Sequence, residues 1–597
     1  MAGFMVLLTT PVGAECLSTI ANPCVVYRPD LAEAPPVTLG QALETICPSI
    51  LVTKVGLDAP TAGAWRAANP RAPLILVHEV GHAGDEVALT ALGIDVWTLA
   101  PQREADQFAI SGLRLAERAW MERATEWTDD ALPRSSVRRV ALVGAGIVNL
   151  MTALALVRDG HEVVVYDAES DPRGPRDDSI RSCTHGGDNA RMFTLTEADN
   201  YGDTRFGPSQ ELNALLDLPV SAGGWRLVDE RPLFQAEQRW LDEVGGAPQW
   251  LVHEYTDDIL SFNREAGDLW SELRSQEPDI FDDVVLRDGI VRLYDDVDYL
   301  RAQVARQRHV GALRRVLDPA QLVERHPALA TSSEAGIVGA IEVSGFTVAI
   351  HDLVARVLAA LERRGVLIHF GSRVQALKWS RHEVIGLMTE TELIEADDYV
   401  LSTGAYGNDL LEGTASHGQI HGVLGAWVTL PNLDPALGHS LKMTRRGHTA
   451  PDSNITVGRD RDGRPSIVVG SGYGWVGLDP LRIAPDELEV LFAGVEDTAR
   501  RLFPLAFDAA KMAGTLANSR RTCVRPWTAC SLGIFERLPA AGGGSAIVTG
   551  GHNTGGFAQA PVVALAVARA IRRRGHAMHA LYHPNRHVLF NRPRAHA

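Results

Sequence analysis

The run Val140-Ala-Leu-Val-Gly144-Ala-Gly146-Ile-Val-Asn149, with Asp167 closing the next apolar run, constrains the fold of this chain more than any other feature. Residues 140–143 read as a strand, residues 147–158 as a helix and residues 163–166 as a second strand. Between the first two elements, Gly144 permits the tight turn, and Gly146 lets backbone N–H groups approach a pyrophosphate lying on the helix N-terminus. Asp167 stands 23 residues beyond Gly144, where a carboxylate can accept hydrogen bonds from ribose hydroxyls. The expected dinucleotide contacts are therefore Gly144, Ala145, Gly146, Ile147, Asn149 and Asp167. The third position of such turns usually carries Gly or Ala for close helix–strand packing, and here it is Asn149.

A length of 597 residues exceeds what one hydrophobic core supports, so several domains are expected. Apolar runs at 4–9, 24–27, 50–55, 74–78 and 96–99 alternate with helix-like stretches such as 61–68 and 85–92. That alternation predicts a flavodoxin-like parallel α/β domain over 1–125. The segment 4–9 reads as its first strand, because a signal peptide would carry a basic start that is missing here. A polar stretch at 126–139 reads as a linker, followed by an α/β and α+β domain over 140–597. A net charge of −17 opposes nucleic-acid binding, which needs a clustered Lys/Arg surface. The six cysteines, at 16, 24, 47, 183, 523 and 530, form no C-x-x-C pair, as expected of a reduced intracellular protein. No run reaches the roughly 18–20 apolar residues of a membrane span, so the expected location is the cytoplasm.

Three later stretches carry further signals. They are Ser182-Cys-Thr-His185-Gly186-Gly187-Asp-Asn-Ala-Arg191, then Leu401-Ser-Thr-Gly404-Ala-Tyr406, then Thr522-Cys523-Val-Arg525-Pro526-Trp-Thr528 with Gly550-Gly551-His552-Asn553-Thr-Gly555-Gly556-Phe557. In the last, glycines flank His552-Asn553 between a strand and a helix, a loop able to press backbone amides against a planar ring or an anionic edge. Together with 140–149, and in the same order, these stretches resemble the D-amino-acid oxidase/sarcosine oxidase family of flavoproteins, which includes glycine oxidase and D-amino acid dehydrogenase. The likeness runs from about 138 to 575, with a poor match at about 203–256. It implies a Rossmann-like FAD-binding domain (about 140–200, 345–410 and 515–575) interleaved with a mixed-sheet substrate domain (about 205–345 and 411–515). It also implies FAD contacts at Gly186, Gly187, Arg191, Val374, Gly404, Gly551, His552, Asn553, Gly555, Gly556 and Phe557.

Arg525 and His552 are the candidate catalytic residues. A guanidinium fork suits bidentate recognition of a carboxylate, and the resemblance implies that role for Arg525. Cys523 falls in the register of the cysteine that carries the flavin in monomeric sarcosine oxidase, so the resemblance leaves covalent attachment open beside a noncovalent cofactor. The oxygen-activating lysine of that branch has no clear counterpart, the strand 466–470 offering Val468 or Val469 instead, so either O₂ or another electron acceptor stays open. The implied reaction is FAD-dependent oxidation of the C–N bond of an amino acid or N-substituted amino acid bearing a carboxylate, giving an imine. The alternatives are an FAD-dependent 2-hydroxy-acid dehydrogenase and a noncatalytic flavin-binding scaffold.

Residues 51–101 resemble part of the first domain of D-2-hydroxyacid dehydrogenases, without the nucleotide domain that follows in that family. This domain is expected to be a noncatalytic docking module, through which copies of the chain could associate. His78-Glu79-Val80-Gly81-His82 matches H-E-x-x-H, but it follows an apolar run and contains Gly81. It therefore reads as a strand end rather than a helical zinc site.

Overall fold

A computed structural model describes residues 4–590 except 82–85, 128–129, 134, 176–180, 183–189, 208–211, 230, 446 and 461. The chain forms two compact units. The first comprises Met1–Thr128, Gly246–Glu254 and Gly575–Ala597, and the second Asp129–Gly245 and Tyr255–Arg574. Two late segments thus belong to the first unit, although the sequence pattern had placed them in the 140–597 domain.

The first unit is a five-stranded parallel sheet in the order Val25–Tyr27, Val6–Leu8, Ile50–Val52, Leu74–Glu79, Ile94–Leu99. The three central strands are buried along their whole length, as a parallel sheet covered on both faces requires. Numbered along the chain, the order is 2-1-3-4-5, the flavodoxin-like winding. Leu7, Leu51, Leu76 and Trp65 are at the centre of its core, and Asp58 caps the helix Ala59–Ala68 through the Thr61 N–H at 2.9 Å. A 21-residue helix, Ala105–Thr125, carries Glu117, whose carboxylate receives Arg586 Nε and Nη2 at 3.0 and 3.1 Å. Both side chains are fully enclosed. His78 and Glu79 end a strand, and Glu79 accepts the Gln102 N–H at 2.7 Å; His82 lies outside the described residues.

The second unit is built on two nine-stranded sheets. In one, Leu367–His369, Glu162–Tyr166, Arg139–Val143, Asp398–Leu401 and Gly544–Gly550 lie side by side in parallel. The antiparallel strand Ile534–Ala540 leads on to the rest. The helix Ile147–Arg158 is buried over most of its circumference and packs against the helix Gly556–Ile571, the two ends of the domain meeting in space. The other sheet is mixed and runs through Leu286–Tyr294, Ser440–Thr444, Asp452–Arg459, Pro465–Gly477, His421–Pro431 and Arg521–Trp527. Arg521–Trp527 is its last strand, pairing with His421–Pro431, so it extends the second sheet instead of joining the nucleotide-binding one. Pro526 is tolerated there because an edge strand has one side free of ladder bonds. Among the described residues no helix is long and apolar enough to cross a membrane.

Candidate functional site

A long cavity in the second unit runs from the turn after Val143 to the face of the mixed sheet. At its first end, Gly144 has φ +95°, and a Cβ there would stand 2.4 Å from the Ser402 carbonyl oxygen. Gly146 is the N-cap of the helix Ile147–Arg158 and offers no side chain to its first-turn N–H groups, which open on the cavity beside Ile147 and Val148. The helix Gly556–Ile571 begins in the same way behind Gly555 and presents Gly556 and Phe557. Two uncapped helix N-termini therefore face one space, an arrangement that favours negative charge.

Asp167 stands on the wall between them. Its Oδ2 accepts the Ala145 N–H at 2.5 Å and its Oδ1 the Glu169 N–H at 2.8 Å, leaving lone pairs on both oxygens for a diol. Replacing Asp167 by alanine is expected to weaken FAD retention by roughly 1–3 kcal/mol, the cost of leaving buried donors without an acceptor. Equilibrium dialysis of the variant measures this, and full occupancy afterwards would remove the assignment.

Asn149 explains the departure from Gly or Ala in the turn. Its side chain is fully buried, and its Nδ2 donates to the Val143 and Gly144 carbonyls at 2.8 and 2.9 Å. It therefore fastens strand to helix from behind and is not on the cavity wall. Ala145, Gly551 and Gly555 also stand behind the wall, while Gly144, Gly146, Ile147, Asp167, Arg191, Val374, Gly404, Arg525, His552, Asn553, Gly556 and Phe557 line it. His185, Gly186 and Gly187 lie outside the described residues.

The loop 550–556 is fixed by the chain it passes. Asn553 holds φ +51°, unusual for a residue with a Cβ. Its N–H donates to the Pro526 carbonyl and its Oδ1 accepts the Thr528 N–H, both at 3.0 Å. Asn553 Nδ2 and, across the cavity, Asn454 Oδ1 are buried without hydrogen-bond partners. Burial pushes His552 down to about 4, so it is a neutral imidazole at physiological pH.

At the far end, Arg525 is held by backbone alone. Its Nη2 donates to the Gly472 carbonyl at 2.7 Å, and its guanidinium carbon sits 4.9 Å from the centre of the Tyr473 ring. Among the described residues no carboxylate is paired with it. The Tyr473 hydroxyl meets the Tyr201 hydroxyl at 2.9 Å, and burial raises both phenols above their ordinary range, so both stay protonated. Trp427, Lys442 and Asn454 complete this wall, and no motif in the chain pointed to them. Cys523 is buried and packs with Trp427 and Val468 instead of lining the cavity.

The donors fit a flavin dinucleotide. The turn and two helix termini suit a pyrophosphate, the carboxylate a ribose, and the orphaned amides of Asn553 and Asn454 polar ring edges.

Comparison with known proteins bears on the same residues. A family model described as FAD dependent oxidoreductase matches residues 139–570. The D-amino acid dehydrogenase 2 of Ralstonia nicotianae is 26% identical over 470 residues, covering 74% of this chain and 98% of the relative. The D-amino acid dehydrogenase of Vibrio cholerae is 25% identical over 388 residues, 62% of this chain and 82% of its own. In structure, the glycine oxidase of Bacillus cereus superposes with a TM-score of 0.52 at 15% identity, covering 74% of this chain and 98% of that one. Amadoriase I of Aspergillus fumigatus gives 0.50 at 15% identity, over 78% and 94%. The two likenesses in structure concern the fold.

Proposed function

Because the chain belongs to the DAO family of FAD-dependent oxidoreductases, we propose that it oxidises the C–N bond of an amino acid or N-substituted amino acid whose carboxylate is bound by Arg525. The observation that carries the reading is the guanidinium itself: a half-buried cation on the cavity wall, aimed by backbone carbonyls and paired with no carboxylate of the described chain. Holding such a charge away from water is unfavourable unless an anion arrives, and a planar fork matches a carboxylate best. The D-amino acid dehydrogenases among the relatives support the same class of substrate.

When bound, FAD supplies the two-electron acceptor. The residues of the chain do the rest. The helix termini at Gly146 and Gly555 place partial positive charge where the cofactor is anionic. Tyr473, a neutral phenol positioned by the Tyr201 hydroxyl, offers a hydroxyl group beside the carboxylate. Trp427 and Phe557 keep water from the reacting face. His552 is neutral through the physiological range and lines the cavity. Among the described residues no group is poised as a strong base, so the substrate amine gives up its proton to solvent before its C–H bond breaks. The alternative of a 2-hydroxy acid is separated from an amino acid by experiment: amino and N-alkylamino acids should bleach the bound flavin under anaerobic conditions, and hydroxy acids should not. A flavin inert to both series would favour the scaffold alternative.

The burial of Cys523 against Trp427 and Val468 supports a noncovalent cofactor. A thioether needs a thiolate at the ring, and this sulfur is enclosed by an indole and an isopropyl group. Acid precipitation is expected to release the flavin into the supernatant. Flavin retained by the wild-type pellet but washed from Cys523→Ala would reverse that conclusion.

A further inference from the structure

The proton of a substrate ammonium has to leave a cavity from which Trp427 and Phe557 keep water. A second, smaller cavity lies beside it in the same unit. Glu197, Lys442 and Thr554 face both spaces and form the partition between them. Asn200, Phe206 and Gly207, which also line the smaller cavity, are only half-buried, so that space reaches solvent. Its charges cancel: Arg306 pairs with Asp199 and Asp203 with Arg205, while Arg292 and Lys442 stand against Glu197 and Asp452. A polar space without net charge selects neither sign of ligand, but it can solvate a passing proton.

Tyr473 lines the main cavity and Tyr201 the smaller one, and their hydroxyls meet at 2.9 Å. Either hydroxyl can donate to the other, since a phenol both donates and accepts. The two rings are held by their neighbours. Tyr201 stacks on Trp527 with centroids 5.6 Å apart, and the Tyr473 centroid is 4.4 Å from that of Trp225. Burial is the main cause that keeps both phenols protonated; Asp452 reinforces it and Arg525 opposes it, with Glu197 adding to the effect on Tyr473. A pair of neutral hydroxyls therefore bridges the two cavities.

We propose that Tyr473 and Tyr201 form a relay that carries the substrate's ammonium proton from the main cavity to water in the smaller one. This rests on the amino-acid reading of the cavity and supplies the route by which the amine becomes reactive. One carbon separates an α-amino group from its carboxylate, so an anchor at Arg525 brings the amine to the Tyr473 end of the cavity. The ammonium gives its proton to the Tyr473 oxygen, Tyr473 passes its own hydrogen to the Tyr201 oxygen, and Tyr201 passes its own to water. Each bond to hydrogen that breaks is replaced by a new one, no electrons are transferred, and both phenols end neutral. The free amine that remains has the lone pair that becomes the C=N bond of the imine. Rotation of the hydroxyls then resets the pair.

The test is anaerobic flavin reduction by the FAD-loaded enzyme at saturating substrate, followed by rapid mixing from about pH 6 to about pH 10, a range that spans deprotonation of an amine. The substrate is an amino acid that reduces the wild-type flavin. Tyr201→Phe keeps the stacked ring and the Tyr473 hydroxyl but breaks the relay. It should lower the limiting rate of reduction at least ~10-fold at about pH 7, with little change in KM. The gap to the wild type should close as pH rises through the solution pKa of the amine, because the substrate then arrives already deprotonated. Tyr473→Phe should show the same closing gap together with a raised KM, and it repeats the test should Tyr201→Phe lose its flavin. A loss of the same size at every pH would make Tyr201 a support for Tyr473 alone and overturn the relay, as would wild-type rates in Tyr201→Phe. Either result leaves amino-acid oxidation standing, whereas a wild-type flavin that no amino acid reduces would overturn both.

Discussion

Exchanging Arg525 for methionine is expected to lower kcat/KM on a carboxylate-bearing amino acid by on the order of 10²–10³-fold, with FAD content unchanged. Removing one member of a desolvated charge pair costs about 2–5 kcal/mol, much of it from leaving the partner charge buried alone. Arg525→Lys keeps the charge but has neither the fork nor the reach to hold the Gly472 carbonyl and a carboxylate together, so a loss of at least ~10-fold is expected there. An amine substrate without a carboxylate provides the control, since its oxidation should change little in either variant. Steady-state kinetics with the two classes of substrate decides the matter. Wild-type rates in Arg525→Met would place the anchor elsewhere.

The second large effect is expected at Gly144. A side chain there would have to adopt φ +95° and place its Cβ 2.4 Å from the Ser402 oxygen, with backbone on both sides of the contact. Left-handed backbone costs an L-residue roughly 1–2 kcal/mol, and overpacking a rigid neighbour adds ~1–3 kcal/mol. Gly144→Ala should therefore lower both the melting temperature of the apoprotein and its flavin affinity. Gly556 makes the informative contrast: it lines the cavity, has no positive φ, and a Cβ there meets nothing within 4 Å. Gly556→Ala should leave the apoprotein melting temperature unchanged and still weaken flavin binding, because the methyl group takes space the cofactor needs. Equal melting behaviour in both variants would contradict this account of the turn.

The parts of the site that sequence made legible are those written in short windows. A turn that needs positive φ, a helix start without a side-chain cap and an acid at the next strand end all fall within residues 140–167, and the glycine loop within 550–557. The flavodoxin-like winding of the first unit was legible for a similar reason, since each strand is one short apolar run. Tyr473, Trp427, Lys442 and Asn454 were not, because pairing between distant strands brings them together. The strand Pro465–Gly477 illustrates the difficulty. Gly470, Gly472 and Gly474 make it read as finished near residue 470, whereas Gly470 is there to admit the Trp427 ring, which a Cβ would approach to 2.3 Å. Arg521–Trp527 was misplaced because its local pattern is the same whichever sheet it joins. The departure at Asn149, which weakened the fingerprint in one dimension, turns out to be two hydrogen bonds closing the turn.

The discontinuous first unit has a consequence for how the protein is made. Within it, Glu117 receives its Arg586 partner from 469 residues further on, and Phe4 and Trp250 both rest on the ring of Phe590. A nascent chain that lacks the Arg586 cation carries an uncompensated acid in its interior, worth ~3–5 kcal/mol once enclosed. This unit therefore cannot close around Glu117 until the segment that carries Arg586 has been made. A polypeptide released early keeps that apolar surface exposed, where chaperones and proteases can sort it from the finished product.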